Sequence, residues 1–284
     1  MTIDQYAQLE QQTGIPVIKK GDIYWREVRP FFYRPLLPFE TYPIEKTSEL
    51  FPFWNMIQFP VEEESRANSA LNMIVIDDIQ AYSIETLHKD RRRDVRKAIK
   101  NGVTIKQIHD AESFIPEAYP VYLSFYGRTH YGHHKDRNER ETFAKWVRTL
   151  TSFEDVYLLG AYLNNELTAI LVYCIVDRIL VGKSLINSEK SIHSRAPDLL
   201  LHYTREEIAK KANIDLIFTG MLLREQGINN FKLWRGAKIL SLPAYLKMPF
   251  PAKPILKALK KAEYEFLIGK TPESSNIYPS DPFS

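Results

Sequence analysis

The stretch Asp215–Tyr245, DLIFTGMLLREQGINNFKLWRGAKILSLPAY, decides the fold. Leu216–Phe218 reads as a short apolar strand that runs into Thr219-Gly220. A short helix follows with Phe231-Lys232 in its middle. Gly236 suits the left-handed position just past a helix end, where a Cβ is penalised. Lys238–Leu242 reads as a second strand. A strand opening onto a helix that carries one aromatic and one adjacent lysine is a place to hold an acyl group. The plainer alternative is a helix capping a sheet edge, with Phe231 in the core and Lys232 in solvent.

Upstream, Ile84–Ile105 reads IETLHKDRRRDVRKAIKNGVTI. Ser83 is a candidate N-cap, with Thr86 at the third helical position and hence no capping box. Ile84, Leu87, Arg91, Val95, Ala98 and Ile99 fall close to helical spacing, Asn101-Gly102 ends the helix, and Val103-Thr104-Ile105 starts a strand.

These two segments carry a resemblance. Gly227–Ala237, with Phe231-Lys232 ahead of Gly236-Ala237, resembles the end of the Fem-type transferases, which belong to the GNAT superfamily of acyltransferases. Arg92, Arg93, Arg96, Lys100, Gly102 and Val103 match the arginine-rich helix and following strand of the same group, in the right order along the chain. The resemblance covers about Tyr82–Tyr245. It implies an α+β fold, a mixed central sheet flanked by helices, and transfer of an acyl or aminoacyl group to an amine acceptor, with cell-envelope or polysaccharide synthesis as the setting. Fem-type enzymes contain two such domains, whereas this chain has room for one complete copy. The expected organisation is an N-terminal extension over 1–80, the transferase domain over 81–250, and an amphipathic helix with a tail over 251–284. A reading from another class is a catalytically inactive module of this fold acting as a scaffold.

Composition excludes several classes. Of 284 residues 44% are hydrophobic, which argues against disorder, and a formal charge of +3 is too small to imply nucleic acid by itself. Distribution says more: Lys89–Lys100 holds seven basic residues against two acids. The lone Cys174 rules out an internal disulfide and sits in an apolar run, as a buried inert thiol does. The start, MTIDQYAQLEQQ, lacks the basic and apolar regions of a signal peptide. No apolar run approaches the roughly 20 residues of a membrane helix. The expected location is cytoplasmic, with contact at the inner membrane face through the basic amphipathic helix Lys253–Ile268, which groups Ile255, Leu256, Leu259, Ala262 and Phe266 against Lys253, Lys257, Lys260 and Lys261.

Along the chain, Ile15–Phe32 reads as a hairpin about Gly21-Asp22. The proline-broken Arg29–Phe59 reads as loop, and Leu71–Ile76 as a strand. Phe114–Thr129 and Arg140–Leu150 read as helices. Val156–Leu163, Leu167–Val176 and Ile179–Ile186 form three successive antiparallel strands. Asn187–Arg195 is a polar loop before a helix running Leu199–Ala212. Strands Ile179–Ile186 and Asp215–Phe218 are expected to be parallel and to splay into a cleft.

Several residue sets could carry chemistry. In ordinary GNAT enzymes a glycine-rich turn at a helix N-terminus binds the pyrophosphate of acetyl-CoA. The corresponding stretch, Ser188–Asp198, has no glycine and offers Lys190, Ser191, Ser194 and Arg195 instead. That absence argues against standard acetyl-CoA binding and fits the Fem pattern, whose donor is an aminoacyl-tRNA. The co-substrate is therefore an acyl-CoA or an aminoacyl-tRNA, with no tightly bound cofactor. The resemblance makes Lys232 the group beside the attacked carbonyl, stabilising the developing oxyanion, with Phe231 packed against the acyl group. His130 or His133, in the polar loop that normally covers the acceptor site, and Glu225 are alternative bases for the incoming amine. With His133 and His134 adjacent and no cysteine near the three histidines, a metal site is not expected. Arg92, Arg93 and Arg96 are candidate contacts to a phosphate or a tRNA backbone.

Overall fold

A computed structural model describes residues 1–129 and 134–269. The chain begins with α1 (Ile3–Gln12), β1 (Val17–Lys20), β2 (Ile23–Arg29), β3 (Phe32–Pro35), α2 (Ile44–Glu49), β4 (Met56–Pro60) and β5 (Ser69–Ile76). Then come α3 (Lys89–Lys100), β6 (Thr104–Gln107), α4 (Ala111–Thr129), α5 (Arg140–Thr151), β7 (Val156–Leu163), β8 (Glu166–Val176) and β9 (Ile179–Asn187). The last part holds α6 (Glu189–Ser194), α7 (Ala196–Tyr203), β10 (Leu216–Met221), α8 (Gln226–Leu233), β11 (Lys238–Lys247), α9 (Ala252–Leu259) and α10 (Lys261–Leu267). This is the mixed α+β order that the GNAT resemblance implies.

The chain divides into two compact units along lines that differ from the sequential domains expected above. The first comprises 1–13, 75–220 and 234–237; the second comprises 14–74, 221–233 and 238 onward.

In the first unit the strands run β10-β9-β8-β7-β6. β6 through β9 are antiparallel, while β10 joins β9 in parallel. The β7–β8 hairpin closes on Asn164-Asn165, both at positive φ, as a two-residue turn matched to strand twist requires. Burial along β8 is nearly continuous, so both of its faces are covered. α7 packs on β7 and β8, and α4 on β8 and β9. Val95, Ala98, Leu171, Tyr173, Leu180, Leu199, Leu200 and Ile217 build the core between sheet and helices.

The second unit has the order β1-β2-β3-β4-β11-β5. Its core gathers Trp25, Phe51, Ile57, Phe59 and Val61, with Trp25 and Phe51 edge to face at 4.9 Å.

Some expectations are corrected. The arginine helix starts at Lys89, capped by the His88 side chain. Ile84–Thr86 is a separate 3-10 turn in which Ser83 and Thr86 do cap each other. Leu87, extended at φ −70°, ψ 150°, separates the two. Arg29–Phe59 is not a loop throughout, since it contains β3, α2 and most of β4; Pro30, Pro35 and Pro43 sit at strand or helix ends, where a missing N–H costs little, and Pro38 and Pro52 in the connections. Asn187–Arg195 folds into α6, which Ser188 caps. The helix after Pro197 widens to a π-type turn at Thr204–Ala209, where the Thr204 hydroxyl donates to Leu200 O at 2.9 Å. The C-terminal amphipathic segment breaks at Lys260 (φ −139°, ψ 54°) into α9 and α10.

Candidate functional site

In the first unit the decisive geometry is where β9 and β10 part. Their register pairs Leu216 with Ile179, Ile217 with Leu180 and Phe218 with Val181, and goes no further. At the next position a Cβ on Gly182 would meet Tyr173 Cε1 at 3.1 Å and Phe218 O at 3.3 Å, tight contacts that a glycine avoids. Across the other edge of β9, Val172 pairs with Ser184 and Tyr173 with Gly182, leaving Lys183 as an extra residue. A bulge of this kind bends its strand and increases the twist. The pairing of β9 with β10 thus ends beside a local irregularity, one inserted residue next to one glycine.

Lys183 is itself an unusual residue. Its ammonium is largely buried, pairs with the fully buried Glu10 of α1 and lies 5.3 Å from the Tyr6 ring centroid. Burial pulls the ammonium below its ordinary range. Neither Glu10 oxygen has a hydrogen-bond partner apart from this ion pair.

Behind the opening, charges tie α3 to α7. Buried Asp94 takes Arg91 at 3.0 Å and Arg195 at 3.3 Å. Buried Asp198 takes Arg235 at 2.9 Å, with Arg91 at 3.7 Å. Arg205 donates to Arg235 O and lies over the Tyr82 ring at 4.8 Å. Burial pushes the Asp198 carboxyl up, and the Arg235 and Arg91 guanidiniums oppose that push. Arg195 occupies the left-handed region at φ 65°, between α6 and α7, where the common GNAT sequence would have glycine.

The candidate residues in this unit separate accordingly. Lys190 is exposed and held by Glu166 at 2.7 Å. Ser194 is buried and donates to Ser191 O at 3.2 Å. With Arg195 turned to Asp94, these three do not assemble into one phosphate cradle. Arg92 and Arg96 share Glu85, at 3.0 and 2.7 Å, and Arg93 reaches Asp90 at 3.2 Å. Together with Lys89, Lys97 and Lys100 they line one open depression on the outer face of α3. Cys174 is buried, and burial pushes its thiol up. His130 and His133 lie outside the described residues.

In the second unit α8 carries the remaining candidates. Its buried Asn229 clamps the incoming chain, accepting from Leu223 N at 3.0 Å and donating to Leu223 O at 2.6 Å. Glu225 stands exposed just ahead of the helix and its backbone oxygen accepts from Ile228 N at 3.2 Å. Phe231 is half-buried, and so is Lys232, against the solvated alternative. Desolvation lowers the Lys232 ammonium to about 8. Gly236 has φ +85°, as a position past a helix end requires.

Sequence patterning had no access to Glu10, Asp94, Asp198 and Arg235. The available signals were Arg91, at helical spacing with Val95 and Ala98, and Lys183, interrupting the apolar run Ile179–Ile186.

No protein-family model and no curated protein matches the sequence. Solved structures do match in fold. FemX superposes with a TM-score of 0.60 at 9% identity, covering 90% of this chain and 94% of its own. A C-terminal domain assigned to a lysylphosphatidylglycerol synthetase of Agrobacterium fabrum gives 0.59 at 11%, covering 93% and 92%. L-PGS of Bacillus licheniformis gives 0.57 at 14%, covering 93% of each. At these identities the likeness is one of fold alone.

Proposed function

We propose that this protein transfers an aminoacyl group from a charged tRNA to an amine acceptor in cell-envelope synthesis. The observation that carries the reading is that the pairing of β9 with β10 stops at Val181 and Phe218, beside the Lys183 bulge, where a cleft for an acyl donor would have to begin. The similar folds of FemX and of a domain named for a lysylphosphatidylglycerol synthetase, a name that points to lysyl transfer, support this. The donor choice rests on charge. The stretch entering α7 has no glycine and no assembled phosphate cradle, whereas α3 presents six cations around one depression. A polyanion long enough to lie along a helix meets that face better than a pyrophosphate does.

In the reaction the acceptor amine attacks the ester carbonyl, forming the C–N bond. The C–O bond to the tRNA ribose breaks, and the ribose hydroxyl leaves with a proton. By the Phe-Lys resemblance, the Lys232 ammonium has the role of stabilising the oxyanion of the tetrahedral intermediate and Phe231 that of shielding the acyl group from water. Glu225 or His130 takes the proton from the attacking ammonium. Lys232 works only while charged, and a value near 8 keeps most of it charged at neutral pH.

The test is binding followed by single turnover. Charged tRNA should raise the melting temperature and release its amino acid to an envelope-type amine such as a lipid or peptidoglycan-precursor amine. Acetyl-CoA should shift the melting temperature little. A large shift with acetyl-CoA that survives Lys190→Ala plus Arg195→Ala would reverse the donor assignment. No shift with either donor would favour the inactive scaffold.

A further inference from the structure

The second unit displays large apolar side chains at one end of its sheet. β3 begins with Phe32 opposite Met56, and Met56 N donates to Phe31 O at 2.8 Å, so the Phe31 turn and the loop before β4 are side by side. β11 finishes at the same end, Lys247 opposite Ile57, with its ammonium on Ser48 O at 2.9 Å and Phe51 O at 3.1 Å. Three connections therefore emerge together: the β2–β3 turn, the 51–55 loop, and the 248–251 turn into α9.

Each bears an apolar residue pointing into water. Phe31 is 62% exposed, Phe53 76%, Trp54 55% and Phe250 93%. On α9, Ile255 and Leu259, one turn apart, are 53% and 79% exposed. No buried residue lies on α9, so its apolar side is not spent on the core. Phe31 is held at φ 65°, its N–H donating to Glu27 Oε1 at 2.8 Å, and Phe53 packs edge to face on Trp54 at 5.0 Å. These rings are positioned rather than loose. Exposed Arg29, Lys253, Lys257, Lys260 and Lys261 surround them. Of the nearby acids, Glu45 is tied to Arg66.

We infer that this end of the second unit docks on an anionic lipid bilayer, with Phe31, Phe53, Trp54 and Phe250 in the headgroup region and α9 lying in the interface plane. Rings at loop tips insert between headgroups, where an amphipathic aromatic is at its best. A short helix with an exposed apolar side and lysines on the other is the form taken by interfacial helices. The lysines and Arg29 supply attraction to anionic headgroups. Protein–protein interfaces are depleted in lysine, whereas four exposed lysines accompany these rings. The inference goes beyond the transfer reaction and is independent of it.

The experiment uses the full chain without any acyl donor, so it succeeds or fails whatever the reaction is. Sedimentation with vesicles of phosphatidylcholine alone and of phosphatidylcholine with phosphatidylglycerol should show about tenfold tighter binding to the anionic vesicles, weakened by high salt. Phe53→Ser, Trp54→Ser and Phe250→Ser combined should lose about tenfold in vesicle affinity while keeping the melting temperature. The indole emission should shift to the blue with anionic vesicles in the wild type but not in Trp54→Phe. Binding unchanged in the triple variant would overturn the assignment of this surface. Absence of binding to any vesicle would overturn the inference, and so would concentration-dependent self-association abolished by the triple variant, which would make the surface a protein interface.

Discussion

The two faces of α3 put the same kind of residue to opposite uses. Inward, Arg91 and Asp94 lock into Asp198, Arg195 and Arg235, with both aspartates buried. Outward, Arg92, Arg93 and Arg96 are 33%, 73% and 61% exposed and held only by Glu85 and Asp90. A buried charge whose partner is removed stays buried and uncompensated. An exposed one rehydrates. The inner face should therefore register in stability and the outer face in binding.

The hardest test of this division is Asp198→Ala, which strands Arg235 and Arg91. It should cost about 3–5 kcal/mol in urea unfolding. A loss below 1 kcal/mol would mean that water replaces the aspartate and the inner lattice is not structural. Lys183→Met comes next, at about 3 kcal/mol, because it abandons the Glu10 carboxylate in the core. Adding Glu10→Met should restore most of that loss, an interaction that a double-mutant cycle reads directly.

Lys232, in the other unit, is the intermediate case, half-buried and argued to be catalytic. Lys232→Met should slow single-turnover transfer about a hundredfold and leave the melting temperature unchanged or raised, since methionine carries no desolvated charge. Arginine should rescue poorly, its planar fork placing charge differently from a compact ammonium. The pH dependence follows. The folded value of about 8 lies below the ordinary 10.5, so between the two the unfolded chain binds the proton and the folded chain does not. Stability of the wild type relative to Lys232→Met should rise with pH across that window, the penalty being fully present below it. Turnover should fall over the same rise, from about 8 upward, as the catalytic charge is lost. Activity rising through pH 8 would instead make Lys232 a base.

The smallest effects on stability belong to the outer face. Arg92→Ala, Arg93→Ala and Arg96→Ala should each stay within about 0.5 kcal/mol. Combined, they should weaken charged-tRNA binding about tenfold and flatten its salt dependence. A triple variant that binds tRNA as before would leave the basic depression a solvated surface.

The same contrast explains how much could be read from the chain. The three-strand run Val156–Ile186, the helix after Pro197 and the short strand at Leu216 were legible because period and turn residues agree locally. Gly102 and Gly236 marked their helix ends, at φ +80° and +85°. α6 was not legible: six residues with one isoleucine carry no period, and a serine cap holds them. The break at Lys260 has neither glycine nor proline to announce it. The charged core was hidden for another reason. Glu10, Asp94 and Asp198 look like surface residues in any window, and the partners of Glu10, Lys183 and Asp198 come from remote segments. Of the proposed site, the Phe231-Lys232 pair was visible by resemblance. The bulge beside Gly182 became visible only once β8 and β9 were in register.

That bulge sets the strand's reading frame. Up to Gly182, β9 and β8 count residues together; after Lys183 they count one apart, and Ser184 through Asn187 take their facing from the shifted count. Loss of Lys183 would merge the two counts, with Ser184 still opposite Val172 and Ile186, now 3% exposed, still opposite Ile170. The inserted residue is therefore a slot at which β9 can shorten by one without turning its side chains over, and what such a deletion would remove is the added local twist.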